Sequence, residues 1–439
     1  MALNSPSFLF LFLPVFIAAY TFFGKRLRNL VLLIFSLAFY FWSEPLFSPL
    51  VLTLVLANFL IARAIFSSPP DSRKQSHWLT FGVILNLLPL IAFKLLAAYG
   101  QLLAGWVTRA GLPVPGWALS ALPLVSRLPL GFSFLTFQAI SLLVDASRMP
   151  PSEDISPLPV ATYLLMFPKI IAGPIMRFRD TVAQILERQN STAQVAAGLR
   201  RFMLGFAKKA LIADQLARVT DRGIFDQPPH LIPTGIAWLV IICYTLQIYF
   251  DFSAYSDMAI GLGQALGFNL AENFNYPYRS ASITEFWRRW HISLSNWFRD
   301  YVFYPLEWKR KSVRWLNQPL NVLILFLLVG LWHGLTPPFI VWGLLQGAAL
   351  VWERGRFGIW LRSLWRPLQN FYTLTIIVLG WVFFRSPSLA HTPGIFSKPW
   401  RVFLTLLRRC LFQPSRQCLL WYGALLLLPC CSSSLFYPH

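Results

Sequence analysis

Long apolar stretches separated by short polar segments run along most of the chain. The first of them, from Leu3 to Phe23, contains no Asp, Glu, Lys or Arg. Because an α-helix rises about 1.5 Å per residue and the hydrocarbon core of a membrane is roughly 30 Å thick, about 20 apolar residues suffice for one crossing. The candidate segments are residues 3–23, 29–42, 46–62, 78–93, 117–146, 158–176, 195–217, 232–268, 317–352, 368–384 and 418–431.

These ten or eleven hydrophobic segments predict an all-α fold, a polytopic membrane helical bundle. Within lipid the backbone N–H and C=O groups find no water, so each spanning segment must satisfy them internally as a helix. We expect segment 232–268 to be two short helices or one long one, broken around Gly261 to Gly267, where the glycines also favour close helix packing. We expect a second break at Pro337-Pro338. Some segments are therefore expected to be short or re-entrant.

Charge is distributed unevenly between the loops. Residues 24–28 and 63–77 carry Lys and Arg, whereas Ser43-Glu44-Pro45 forms a loop nearly free of charge. The positive-inside rule places the two basic loops in the cytoplasm and the N-terminus outside. No basic residue precedes the first apolar run, which disfavours a cleaved signal peptide.

Composition agrees with a membrane protein. Of the 439 residues 56% are hydrophobic and 13% are charged, whereas about 25% are charged in soluble domains. A water-soluble globular protein is thereby excluded. The 38 Lys and Arg exceed the 17 Asp and Glu, for a net charge of +21. This excess is spread over loops and helix ends, so it indicates membrane topology and attraction of an anionic donor, with no nucleic-acid partner.

The most informative polar residue is His333, in the string Gly330-Leu-Trp-His-Gly334. No charged residue occurs from Val322 through Trp352. Counting from Asn321 places the histidine about 18 Å along a helix, near mid-membrane. A buried ionisable residue at a helix end is a candidate for proton transfer. The alternative is a histidine that is hydrogen-bonded only for packing.

A second histidine, His291, lies in the segment Ser282 to Tyr301. Placed on a helix at 100° per residue, this segment separates into a charged face and an aromatic face, with His291 on the aromatic side next to the boundary. We expect an interfacial or re-entrant helix in which Glu285 pairs with Arg288 or Arg289. The alternative is a surface helix in which the histidine only fills space.

A polar stripe occurs in segment 232–268. Tyr244, Gln247, Asp251 and Tyr255 recur at steps of three and four residues, which places them on one helix face. An intramembrane carboxylate needs a partner or a cavity, so Asp251 is expected to pair with an arginine or to line a channel. Structural pairing is the favoured interpretation. The nearby Lys208-Lys209 mark topology or bind a cofactor phosphate.

The chain lacks the common signatures of soluble enzymes. It contains no G-x-S-x-G, H-E-x-x-H or P-loop string, and its five cysteines include no C-x-x-C. Neither a zinc site nor a serine or cysteine nucleophile is therefore indicated. Two histidines in apolar surroundings favour a base-assisted transfer from a donor that is already activated.

Several strings occur in an order that resembles a known family, the membrane-bound O-acyltransferases, and within it the bacterial alginate O-acetyltransferase membrane components. They cover residues 1 to about 390, and the match fades beyond. We therefore expect an acyltransferase domain over 1–390 and a divergent, shortened membrane tail over 391–439. The strings are Gly131-Phe-Ser-Phe-Leu-Thr-Phe-Gln138, Phe167-Pro-Lys-Ile-Ile-Ala-Gly-Pro174, Tyr249-Phe-Asp-Phe-Ser-Ala-Tyr-Ser-Asp257, Glu272-Asn-Phe-Asn-Tyr-Pro-Tyr278, residues 283–295, Gly330-Leu-Trp-His-Gly334 and Phe383-Phe-Arg385.

The resemblance implies a helical bundle around a tunnel or funnel that reaches from the cytoplasmic face to mid-membrane. It implies that His333 is the catalytic base, with His291 as the second family histidine, which stabilises the oxyanion if a helix-end donor does not. Acetyl-CoA is the expected acyl donor, and no metal is expected. The further residues expected to contact substrate or the tunnel are Asp251, Tyr255, Gln247, Asn273, Trp332 and Arg289.

The function implied is O-acetylation of an alginate-like or other extracytoplasmic polysaccharide from the bacterial inner membrane. The expected partners are the lipid bilayer, the polysaccharide acceptor and a periplasmic acetyltransferase of the SGNH or GDSL type. Two alternatives stay open. One is transfer of D-alanine or another acyl group to teichoic acid or a similar cell-wall polymer. The other is a proton-coupled transporter or flippase in which the intramembrane His and Asp relay protons.

Overall fold

The computed structural model describes residues 1–110, 116–149, 156–221, 232–309 and 314–390. The tail 391–439, with its candidate segment 418–431, lies outside the described residues. The helices are α1 Leu13–Phe22, α2 Gly24–Ser43, α3 Ser48–Phe66, α4 Arg73–Arg109, α5 Gly116–Val125, α6 Phe132–Ala146, α7 Pro157–Leu165, α8 Phe167–Ile170, α9 Phe178–Glu187 and α10 Thr192–Ala207. They continue with α11 Asp214–Thr220, α12 Thr234–Ala265, α13 Ile283–Arg289, α14 Ile292–Phe298, α15 Tyr304–Lys309, α16 Arg314–His333, α17 Pro337–Arg354, α18 Arg356–Ser363 and α19 Arg366–Arg385.

Short segments of other helix types complete the described chain. π-Helical turns occupy Phe8–Phe12, Lys208–Ala213 and Arg299–Phe303, and a 3-10 turn occupies Pro277–Arg279.

Five helices are long and apolar enough to cross a membrane. They contain the stretches Arg26–Ser43, Ser48–Phe66, Arg73–Arg109, Gly235–Ala265 and Arg366–Arg385, and three shorter apolar helices, Phe8–Phe22, Phe132–Ala146 and Asn317–His333, accompany them. The prediction of an all-α multi-pass membrane bundle is confirmed. Segments 117–146 and 158–176, for which no break was expected, are each divided into two helices.

Two predicted segments are divided by backbone features. Segment 117–146 splits into α5 and α6, because Gly131 at the start of α6 adopts a left-handed conformation with φ 70°, which glycine reaches without strain. Segment 158–176 splits into α7 and α8, and Pro168 lies in the first turn of α8, where a missing N–H does no harm. Helices α6, α7 and α8 are buried parts of the bundle.

Two other helices differ from the expected segments, α4 in its length and α12 in its continuity. The 37-residue α4 continues well past the predicted end at Phe93. The 32-residue α12 is one unbroken helix to Ala265, and Gly267 follows in the left-handed conformation at φ 85°. A Cβ atom added at Gly261 would lie 2.6 Å from the carbonyl oxygen of Gly198 on α10. The expected close helix packing at this glycine is confirmed.

The hairpin of α16 and α17 bears directly on the site. As expected, the chain breaks before Pro337, so that α16 ends at His333 and α17 begins four residues later. The two helices touch backbone to backbone, since a Cβ atom at Gly330 would lie 2.6 Å from the carbonyl oxygen of Phe339. Trp332 packs against both hydrophobic clusters, one built mainly on the N-terminal half and one on the C-terminal half. The end of α16 therefore lies where the two halves meet.

Candidate active site

His333 is the last residue of α16 and projects into an aromatic cage. Its ring centroid lies 4.5 Å from that of Trp332, 4.8 Å from Phe384, 5.1 Å from Trp342 and 6.4 Å from Phe339. The residue is half-buried, and in the described ranges no side chain hydrogen-bonds either ring nitrogen. No described side-chain hydrogen bond engages the imidazole, so its nitrogens stay available to a bound reactant.

The second histidine sits in a backbone that the helical pattern does not predict. The continuous helix expected from Ser282 to Tyr301 is wrong. Helix α13 ends at Arg289, Trp290 is extended, and His291 takes a left-handed conformation with φ 44° before α14 begins. A positive φ is uncommon outside glycine, although histidine is among the residues that tolerate it.

The break has an identifiable cause in the preceding segment. The Asn273 carbonyl accepts a 3.0 Å bond from the N–H of Ile292, and the N–H of Asn275 donates to the Arg289 carbonyl at 2.9 Å. Between them, Phe274 and Trp290 form an isolated antiparallel bridge. This strand-like pairing replaces helical bonds at residues 289–292, and tertiary contacts thereby override the amphipathic periodicity.

Asn273 fixes the protonation of His291. The N–H of Ser293 donates to Asn273 Oδ1 at 3.3 Å, and the Ser293 hydroxyl donates to the same oxygen at 2.9 Å. Asn273 Nδ2 donates to Ser256 Oγ at 3.1 Å, so the amide has only one consistent orientation. His291 Nδ1 lies 3.1 Å from Asn273 Oδ1. Since Oδ1 is an acceptor, Nδ1 must carry the proton, and neutral His291 presents an unprotonated Nε2.

Trp332 joins the two histidines. Its ring centroid lies 6.3 Å from that of His291 and 4.5 Å from that of His333. His291 is 2% exposed, with Phe134 stacked on one side at 6.3 Å and Phe252 against it at 4.6 Å. Among the described residues, neither His291 Nε2 nor Trp332 Nε1 has a hydrogen-bond partner. Trp332 thus brings an unpaired donor next to His333, and His291, on the other side of Trp332, offers a buried acceptor.

Comparison with known proteins identifies the family. The family model described as MBOAT, membrane-bound O-acyltransferase family, matches residues 29–396. The chain belongs to this family. It is a multi-pass membrane acyltransferase, and the expectation from the ordered strings is confirmed.

Three relatives of the acyltransferase differ in their named substrates. A protein named probable alginate O-acetylase AlgI, from Pseudomonas aeruginosa, is 41% identical over 89% of this chain and 73% of its own length. The peptidoglycan O-acetyltransferase of Helicobacter pylori is 34% identical over 88% of this chain and 77% of its own. The teichoic acid D-alanyltransferase of Bacillus subtilis is 30% identical over 58% of this chain and 66% of its own.

Two residues of the polar stripe on α12 of the acyltransferase bond to the segment 208–220. Asp251 pairs with Lys209 at 2.7 Å, and Gln247 accepts a hydrogen bond from Thr220. Tyr255 packs into the N-terminal cluster. The α12 residue that reaches His291 is Phe252, which lies one position from Asp251 and therefore about 100° round the helix. The expected arginine partner of Asp251 was wrong, because a lysine occupies that place.

The two neighbouring lysines are held in ion pairs. Lys208 pairs with Asp257 at 2.6 Å, and Lys209 also pairs with Asp214 at 2.7 Å. Since each ammonium already has carboxylate partners, these contacts weigh against a role in binding a cofactor phosphate.

Arg289, at the end of α13, makes contacts that stabilise the local fold. It pairs with Glu285 at 2.9 Å, as one of the two expected partners, and donates to the carbonyl of Asn275 at 3.1 Å. Burial would raise the pKa of Glu285, but hydrogen bonds from the Ala281 N–H and from Arg289 hold that pKa below its ordinary value. The ionised carboxylate thereby keeps Arg289 in place.

A cavity of about 50 Å³ lies behind the Asn273 network, large enough for a few water molecules. It does not reach the ring of His333, so the tunnel or funnel stays a prediction. Within the described ranges no group of three or more His, Cys, Asp or Glu is arranged to hold a metal ion. The cavity is lined by Ile175, Met176, Arg177, Asp180, Ala271, Ser293, Asn296 and Trp297.

Sequence reasoning missed several residues of this site. Phe134, which stacks on His291, and Trp342 and Phe384, which surround His333, come from three different helices. Phe134 and Phe384 lie in the family strings, but nothing in the local sequence marks their contact with the histidines. Glu353 is also new: its carboxylate accepts bonds from the N–H of Ile283 at 2.5 Å and of Thr284 at 2.8 Å. Its position could have drawn attention in the sequence, because this acidic residue follows thirty-one residues without charge, from Val322 through Trp352.

Proposed function

We propose that this acyltransferase moves an acetyl group from acetyl-CoA to a hydroxyl of an extracytoplasmic polysaccharide at the bacterial inner membrane. The acetyl donor is supported by the relatives named as O-acetyl-transferring proteins, which match the chain over a larger share of its length than the D-alanyltransferase does. An alginate-like or other exopolysaccharide acceptor is supported by the first of these names.

The observation that carries the proposal is the environment of His333. This residue is half-buried, aromatic side chains surround its ring, and its ring nitrogens have no described hydrogen-bond partner. Trp332 lies between it and the buried ring of His291. As general base, His333 takes the hydroxyl proton while the acceptor oxygen attacks the thioester carbonyl carbon. The C–S bond then breaks, the ester C–O bond remains, and the departing thiolate takes up the proton.

The neighbouring groups divide the remaining tasks. Because neutral His291 offers a lone pair at Nε2, it suits a proton acceptor better than an oxyanion donor. The unpaired indole N–H of Trp332 has the polarity that an oxyanion requires. Asn273 acts as a positioning residue that sets the His291 tautomer. The remaining tunnel candidates, Asp251, Gln247, Tyr255 and Arg289, lie in structural contacts, and we assign them no contact with the reacting atoms.

Two further proposals concern organisation. Residues 1–390 form the acyltransferase unit, and 391–439 form a divergent tail. An SGNH- or GDSL-type periplasmic acetyltransferase receives the acetyl group when the polysaccharide does not receive it directly. Support comes from the polymer acceptors in the relatives' names, since a membrane enzyme reaches such a polymer only at the outer face.

The test uses the full-length protein in proteoliposomes with acetyl-CoA labelled on the acetyl group. With alginate oligosaccharide or a purified GDSL-type partner as acceptor, we expect label transfer and thiol release that depend on His333. The His333→Ala variant should lose both activities, whereas the control His77→Ala, at an exposed position of α4, should keep them. Equal thioester loss in the wild type and in His333→Ala would refute the proposal.

The same preparation distinguishes the alternatives. Transfer from a D-alanyl carrier-protein thioester, without transfer from acetyl-CoA, would replace the acetyl donor with an aminoacyl donor. Proton-coupled flux that survives His333→Ala, without any acyl transfer, would support a transporter instead.

A further inference from the structure

Helix α4 reaches the end of α16 with two polar side chains. Lys94 Nζ donates to the backbone carbonyl of Trp332, and it donates to the carbonyl of His333 at 3.3 Å. Five residues further along α4, the hydroxyl of Tyr99 donates to the carbonyl of Leu335 at 2.9 Å. Both side chains thus bind the backbone of the turn that carries His333.

This turn needs donors from outside. The last four carbonyls of a helix have no partner within the helix. Gly334 N–H satisfies the Gly330 carbonyl at 3.0 Å, but the next helix opens with Pro337-Pro338, which have no N–H to offer. Lys94 supplies the missing donors for the carbonyls of Trp332 and His333. An ammonium there also faces the negative end of the α16 dipole.

Among the described residues, Lys94 makes no other hydrogen bond and no ion pair. It is the sole charged residue between Lys74 and Arg109, and a charge in an apolar helix is expensive unless it is paired. Within the described ranges it makes no ion pair with a carboxylate. Its contacts are therefore to the backbone on which the aromatic cage and His333 are mounted.

We propose that Lys94 and Tyr99 form a backbone clamp that fixes the end of α16 and thereby aims the His333 ring at the reacting hydroxyl. Both are positioning residues, since they act through the carbonyls of residues 332, 333 and 335. The clamp rests on the proposed role of His333 as base. A displacement of about 1 Å at a catalytic group can cost about a hundredfold in rate, so releasing the clamp should lower kcat while leaving donor binding intact.

The test compares Lys94→Met with Lys94→Arg in the acetyl-transfer assay. Lys94→Met keeps the apolar stem and removes the donors, so kcat should fall about ten- to a hundredfold with little change in the KM for acetyl-CoA. Lys94→Arg keeps a cationic donor and should recover most of the loss. Tyr99→Phe, which removes one bond and no charge, should lower kcat by about two- to fivefold. The matched control is Lys74→Met, at an exposed position of the same helix.

Two measurements separate the clamp from the base. In a His333→Gln background, which should keep a residual rate, Lys94→Met should cost no further rate, because both act on one step. Hydrogen exchange of the segment around Gly334 should rise in Lys94→Met and not in Lys74→Met, which tests the clamp even if His333 proves not to be the base. Unchanged kcat and exchange in Lys94→Met and Tyr99→Phe would overturn the proposal. A raised KM at constant kcat would also overturn it, because Lys94 would then bind the donor directly.

Discussion

His333 ends a 20-residue helix, whereas His291 occupies a left-handed break between two helices of seven residues each. His333 is half-buried, and the rings of Trp332, Phe339, Trp342 and Phe384 surround its imidazole. His291 is 2% exposed and is held at Nδ1 by the amide oxygen of Asn273. The two residues lie on either side of Trp332, but they are fixed by different means.

This difference predicts that His333 serves catalysis alone, whereas His291 also stabilises the fold. Substituting His333 removes a group on which no described hydrogen bond depends, so the fold should survive while the chemistry is lost. Substituting His291 disturbs a buried network and an unusual backbone conformation, so stability and activity should change together. Variants that separate these two effects test the comparison directly.

The largest expected effect is that of His333→Gln. Glutamine keeps polarity and much of the volume but cannot accept the proton, so kcat should fall about a thousandfold. The midpoint of thermal unfolding in detergent should stay close to that of the wild type. A rate within tenfold of the wild type would show that His333 is not the base.

A smaller effect is expected from His291→Asn. Asparagine tolerates a positive φ and can donate to Asn273, but it has no lone pair in place of Nε2, so kcat should fall about ten- to a hundredfold, with a smaller loss of stability than in a variant that is strained at a positive φ. His291→Val should lower the free energy of unfolding by about 1–3 kcal/mol as well, because a β-branched residue is strained at φ 44°. Equal stability of the two variants would contradict the strained conformation.

Substitutions of Asn273 test whether its amide oxygen holds His291 in place. Asn273→Leu leaves the Ser293 N–H and His291 Nδ1 buried without an acceptor, which should destabilise the protein by about 1–3 kcal/mol and lower kcat about tenfold. Asn273→Asp keeps an acceptor at this position and should retain more activity than the leucine variant. If the aspartate and leucine variants have the same rate, the acceptor does not set the His291 tautomer.

The same contrast explains what the sequence could predict. His333 stands out because the features that mark it are local: a run without charge, a glycine on either side of Leu-Trp-His, and the prolines Pro337 and Pro338 that end the helix. These features act within one helix, and the helix ended where they indicated. The close approach at Gly261 was likewise predictable, since a glycine on an apolar helix favours tight packing.

The conformation of His291 could not be predicted, because it depends on pairing with residues 273–275. Helical periodicity alone assigned the segment to one helix, and the bonds from Ile292 to Asn273 and from Asn275 to Arg289 overrode it. Lys94 shows a different limit. Its charge is visible in the sequence, but its partners are backbone carbonyls more than 230 residues away, and no sequence pattern marks such acceptors.

Glu353 links the two histidine regions and gives the smallest expected effect on rate. Helix α17 places Trp342 against His333 near its start, and near its end Glu353 binds the first N–H groups of α13 and the hydroxyl of Thr284 at 2.6 Å. Glu353→Gln loses the charge and turns an N–H₂ group towards these donors, so the free energy of unfolding should fall by about 1–3 kcal/mol. Because α13 stays paired through residues 273–275, kcat should fall less than about fivefold. The exposed control Glu187→Gln should change neither quantity. A large loss of rate without loss of stability would mean that Glu353 takes part in the chemistry, and the division between the two regions would then have to be redrawn.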